Sequence, residues 1–211
     1  MLDVHPAHHA ANGWKEFFVH IATIVIGLLI AVGLEQAVES FNHRHLAAEA
    51  RARIQRELSH NVSLLKENGA RLLADRQLLE KDLAYLDANT PDAQTLQALQ
   101  YSWFLTRIDD AAWSAAKIDG SIALIPSKEI GAANYFYSSN VELAPLAFAY
   151  FTDIDTAGAI VDHCKATGKL TAQDRDQLRT LTASAIGLNK VLSLILPEQL
   201  RAIADTSLDP H

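Results

Sequence analysis

Three rhythms of apolar and polar residues follow one another along this chain. The first is an unbroken apolar run, residues 17–34, FFVHIATIVIGLLIAVGL, without a formal charge. Eighteen helical residues rise about 27 Å, close to the roughly 30 Å hydrocarbon core of a bilayer. Trp14 and Lys15 stand just before the run. An indole prefers the membrane–water interface and a lysine snorkels to it, so these two are the expected interface anchors. A cleaved secretory signal would need a more basic start and a small-x-small site, which Gly33-Leu34-Glu35 does not supply. A core helix of a soluble domain is rarely apolar all round for five turns. The run is therefore read as a retained transmembrane helix over 17–38, behind a flexible tail over 1–16.

The second rhythm is helical. Ile54, Leu58, Val62, Leu65, Leu72, Leu79, Leu83 and Leu86 recur at spacings of three, four and seven, which places them on one face of a helix. No proline interrupts residues 41–86, and Gly69 is the one glycine there. A long amphipathic arm is predicted over 39–89, with a bend at Asn68-Gly69. Asn61 and Asn68 sit seven residues apart near its seam. They are either register-fixing seam amides, as in coiled coils, or surface amides. Glu49–Arg53, Arg53–Glu57, Glu67–Arg71 and Arg76–Glu80 are possible i,i+4 ion pairs.

The third rhythm is broken into shorter pieces. Thr90-Pro91 predicts a helix start, followed by a helix presenting Leu96, Leu99, Trp103 and Ile108 and running into 111–118. Asp119-Gly120 marks a turn, and the apolar 122–125 reads as a buried connector. Ser127 opens another helix, with a kink or restart expected at Pro145. Thr171-Ala172-Gln173-Asp174 matches a capping box, and Pro197 is expected to start a short final helix ending near Thr206. The fold class is all-α: an N-terminal transmembrane helix continuing into a long amphipathic helix, then an antiparallel helical bundle over 90–206, with a tail over 207–211.

Charge sharpens this reading. The net charge is −7, with a pI near 5.7, which argues against nucleic acid as a partner. Residues 44–81 are rich in Lys and Arg, and residues 82–163 are rich in Asp and Glu, so the arm can dock along the acidic half or the acidic face can meet a basic partner. Only Lys15 precedes the run, whereas Arg44, Arg51, Arg53 and Arg56 follow it. The positive-inside rule then puts the C-terminal domain in the cytoplasm. The alternative is a periplasmic domain, with these arginines serving to solvate a helix.

Candidate chemistry is sparse. No phosphate-binding loop, dinucleotide fingerprint, zinc-protease pair or nucleophile elbow occurs in the sequence. No cofactor or metal is expected. Asp3, His5, His8 and His9 in the tail read as solvated residues, and so do His43 and His45. Asp109, Asp110 and Asp119 read as helix-end carboxylates, His163 and Cys164 as one exposed and one buried neighbour, and the aromatics of 135–151 as a packing stripe. Inside the run, Thr23, Gly27 and Ala31 recur every four residues and Glu35 continues the series. Small residues let two membrane helices approach closely, so this is the expected self-association face, with the arm extending the pairing.

Trp14-Lys15-Glu16-Phe17, residues 27–39 and residues 49–61 together resemble an uncharacterised family of small bacterial single-span membrane proteins. That resemblance implies the bacterial inner membrane and a helical C-terminal domain, and brings no activity or site. The expected function is a non-catalytic, membrane-anchored scaffold or protein-interaction module. Its expected partners are the lipid bilayer, a second copy and an unidentified protein. The alternative is a membrane-anchored sensor that binds a ligand through 135–151.

Overall fold

The structure, a computed structural model, describes residues 13–88 and 95–206. The tail histidines and Asp3, the Thr90-Pro91 start and the last five residues lie outside it. The described chain is all-helical, with four packed helices: α1 (Gly13–Ala88), α2 (Ala111–Ile118), α3 (Ser127–Thr167) and α4 (Ala172–Ala204). Short 3-10 turns stand at Thr95–Ala98 and Ser121–Leu124.

α1 is one unbroken helix of 76 residues, about 114 Å long at 1.5 Å per residue. Its first buried residue is Ala47. Beyond it Ala50, Ile54, Leu58, Leu65, Leu72, Leu79 and Leu86 enter the core, the face that the 3–4 spacing predicts. The helix is not broken at Asn68-Gly69. Gly69 instead faces α4, where an added Cβ would lie 3.3 Å from Leu196 Cδ1, so the glycine serves close approach of two helices.

α3 and α4 form a hairpin. Gly168 ends α3 in the left-handed conformation, φ 64°, which glycine adopts without steric cost. Thr171 then opens α4 with the predicted capping box. Asn140 meets Gln199 and Tyr150 meets Asn189, so the two helices run in opposite directions. α4 also runs back along α1: Arg175 donates to the Leu86 carbonyl and Asn189 to the Leu72 carbonyl.

Neither internal proline breaks its helix. α3 passes through Pro145 and α4 through Pro197, so neither a restart at 145 nor a separate final helix at 197 occurs. Each proline is exposed, where water can satisfy the freed carbonyl. Packing on both sides keeps each helix continuous through its proline: Phe136, Tyr137 and Tyr150 in α3, and Leu192, Gln199 and Ala202 in α4, are buried.

The larger correction concerns residues 99–110. In place of a helix the chain forms an extended strap without regular secondary structure. Tyr101, Trp103 and Leu105 are partly buried while Ser102 and Phe104 are exposed, the period-two alternation of extended chain. Among the described residues the strap has no partner strand. It lies between α1 and α3, and side chains satisfy its backbone.

Candidate functional site

The apolar run occupies the free end of α1. Residues 13–46 project from the bundle without a buried side chain, a length of about 51 Å. This end of α1 is long and apolar enough to cross a membrane. Among the described residues α4 is the second such helix, and it packs against both α1 and α3.

Trp14, Phe17 and Phe18 form a ring cluster at the tip, with centroids 5.8–6.1 Å apart; Lys15 is exposed beside it. The two polar side chains of the run turn back on their own helix. Thr23 Oγ1 donates to the Val19 carbonyl at 2.8 Å, and His20 Nδ1 lies 2.8 Å from the Glu16 carbonyl. Both contacts hide polar atoms from an apolar surrounding. Thr23, Gly27, Ala31 and Glu35 are all exposed on this projection, and an added Cβ at Gly27 would meet nothing within 4 Å.

Where the projection enters the bundle, an open concavity is lined by Glu39, His43, Arg44, Arg51 and Leu124, among others. Arg51 is committed to Glu129 at 2.9 Å, both ends largely buried, and Arg53 lies 3.5 Å from Asp119. His60 lies 3.5 Å from Asp109. The basic arm thus docks on the acidic segment 109–129, one of the two arrangements that the charge asymmetry allows. Glu67–Arg71 forms as an i,i+4 pair at 3.8 Å. The other three pairs are redirected: Arg53 goes to Asp119, Glu57 to α2 and Glu80 to Lys190.

Two buried asparagines hold the strap on α1. Asn61 accepts from the Asp109 N–H at 3.0 Å and donates to the Asp109 carbonyl at 2.8 Å. Asn68 does the same to Thr106, at 2.9 and 2.7 Å. The register matches by arithmetic. Seven helical residues rise about 10.5 Å and three extended residues about 10 Å, so each asparagine meets its own peptide. Arg71 donates to the Phe104 carbonyl at 3.1 Å and stacks over the Phe104 ring. On the other side Trp103 stacks on Phe151, with centroids 4.0 Å apart, and donates to Asp155 at 2.7 Å.

Glu57 closes the strap. Its carboxylate accepts from the Ala112 and Trp113 N–H groups, at 2.6 and 3.2 Å, and from the Tyr137 hydroxyl at 2.7 Å. The first turn of α2 is therefore capped from another helix, while Asp110 at its N-cap makes no side-chain cap bond. Burial, and then the Glu57 carboxylate, push the Tyr137 hydroxyl far above its ordinary value. Asp82 accepts from the Gln100 N–H at 3.4 Å, and burial raises its carboxyl to about 6.

These groups serve packing. The aromatics of 135–151 do not converge: Phe136, Tyr137 and Tyr150 are in the core, Tyr135 and Phe148 face solvent, and Phe151 stacks on the strap. Asp109, Asp110 and Asp119 are held by His60, Arg107 and Arg53. Cys164 is buried beside an exposed His163. Among the described residues no three His, Cys, Asp or Glu side chains group as a metal site. Sequence reading missed the strap and the Glu57 cap, because Tyr101-Ser102-Trp103-Phe104-Leu105 carries no apolar–polar alternation to mark the extended chain. No family model, curated protein or solved structure matches the chain.

Proposed function

We propose that this protein is a membrane-anchored, non-catalytic helical module that presents its bundle to a protein partner. In this reading residues 17–38 cross the bacterial inner membrane once, and Trp14 and Lys15 mark one interface. The observation that carries it is the continuity of α1: one helix is bare and apolar over its first part and the spine of a packed bundle over its last. From Leu34 to Ala47 the helix rises about 20 Å, so α1 is both anchor and spacer. The arginines past the run favour a cytoplasmic bundle.

The division of the aromatics between core and solvent weighs against the sensor alternative, which needs a concave pocket lined by them. Co-purification from detergent-solubilised membranes tests the module reading. A specific protein recovered in fixed ratio supports it, and repeated recovery of the bare chain counts against it.

A further inference from the structure

We propose that the stalk of α1, residues 34–52, pairs with the same stalk of a second copy as a parallel two-stranded coiled coil. From the end of the charge-free run onward the helix does not become evenly polar. Leu34, Val38 and Phe41 stay large and apolar, and they are 63%, 61% and 70% exposed. His45, Ala48 and Ala52 continue the series. The steps alternate four and three, the a/d spacing of a heptad.

Direction is the second observation. At about 100° per residue, positions 34, 38, 41, 45, 48 and 52 fall between about 120° and 200° round the helix from Ile54. Ile54 is fully buried against the bundle. The stripe therefore points away from the face that Ile54 buries, with Ala48 at its edge lining the concavity beside Leu124, and a second copy can lie along it without displacing α2, α3 or α4. Gly27 and Ala31 fall on the continuation of the same line inside the run, so small residues in the span and large ones in the stalk form one seam.

Charge selects the occupant. With Val38 at a and Phe41 at d, Arg44 takes a g position and Glu49 the following e position. In parallel two-stranded coils these meet across the interface. Five residues apart on their own helix, they point away from each other. Among the described residues neither makes a hydrogen bond or ion pair, because Arg53, the expected partner of Glu49, is held by Asp119. A second copy supplies both missing partners symmetrically. The parallel orientation rests on the membrane-anchor reading, since two copies in one bilayer point the same way.

The test uses the full chain in native membranes, with the buried Cys164 replaced by Ala. Single cysteines are placed by Val38→Cys, Phe41→Cys and His45→Cys, and on the bundle side by Glu39→Cys, Ser40→Cys and His43→Cys. Mild oxidation should give disulfide dimers at 38, 41 and 45 and few at 39, 40 and 43. Arg44→Glu or Glu49→Arg alone should weaken dimerisation about two- to fivefold, and the double swap should restore it. No dimers, dimers without periodicity, or a mixed disulfide to a different protein would overturn the proposal. Alkaline extraction of the same membranes separates the two readings. Retention in the pellet without dimers removes the coiled coil and keeps the anchor; release with the same crosslinking pattern removes the anchor and keeps the seam.

Discussion

Asn68 of α1 grips the peptide of Thr106 with both ends of its amide, taking the N–H at 2.9 Å and giving to the carbonyl at 2.7 Å. The side chain does for the strap what a neighbouring strand would do. Asn61 repeats the grip one heptad earlier, at Asp109. Asn68→Ala should leave a buried peptide N–H and C=O unpaired and cost about 2–4 kcal/mol. Asn61→Ala should cost a similar amount. Denaturant midpoints measure the loss, and amide hydrogen exchange should quicken across 104–110 while α4 stays protected. Unchanged exchange in the strap would show that the grips do not hold it.

Glu57 is the cap that α2 lacks. Glu57→Ala should cost about 2–4 kcal/mol, because three donors lose a charged acceptor. Glu57→Gln keeps one acceptor oxygen and should cost less. Trp113 stacks on Tyr137 at 4.6 Å, so its fluorescence reports the loosening directly. A Glu57→Ala spectrum identical to wild type would contradict the capping role.

Asp82 sets a pH dependence. Burial raises its folded carboxyl from the ordinary 3.8 to about 6. Between those values the folded state holds the proton more tightly than the unfolded chain does. Its contribution is therefore fully present below pH 4 and is lost as pH rises through 6. Asp82→Asn keeps an acceptor for the Gln100 N–H and removes the buried charge. It should stabilise the bundle at pH 7.5 by up to about 3 kcal/mol, with the gain vanishing near pH 4. Urea midpoints at the two pH values decide it; an equal gain at both would contradict the assignment.

The topology prediction follows from Arg44, Arg51, Arg53 and Arg56. A C-terminal fluorescent protein active only in the cytoplasm should glow, and a C-terminal phosphatase active only in the periplasm should stay silent. High phosphatase activity would place the bundle on the other side.

Much of this architecture was legible because it rests on local rules. The apolar run, the 3–4 face from Ile54 to Leu86 and the Thr171 capping box each need only a few neighbouring residues to be recognised. The strap was not legible in the same way. Leu96, Leu99, Trp103 and Ile108 suit a helix as well as a strap, and what decides between them is Asn61 and Asn68, some forty residues earlier in sequence. Pro145 and Pro197 read as breaks because the local rule is steric; packing of distant residues on either side overrides it. Glu57 looked like a surface partner of Arg53 for the same reason, since its true partners lie on α2 and α3. As for the candidate site, the four-residue spacing of Thr23, Gly27, Ala31 and Glu35 along the apolar end of α1 could be read from the sequence alone, whereas the direction of the stalk relative to the bundle needed the fold.

Alkaline carbonate extraction of membranes carrying the full chain tests the anchor most directly. The wild type should remain in the pellet. Val25→Arg with Ile26→Arg, about 5–7 kcal/mol against insertion at the centre of the run, should move the protein to the supernatant with its bundle still folded. A wild-type chain released by carbonate, or a double-arginine variant retained as well as the wild type, would contradict a membrane-spanning α1.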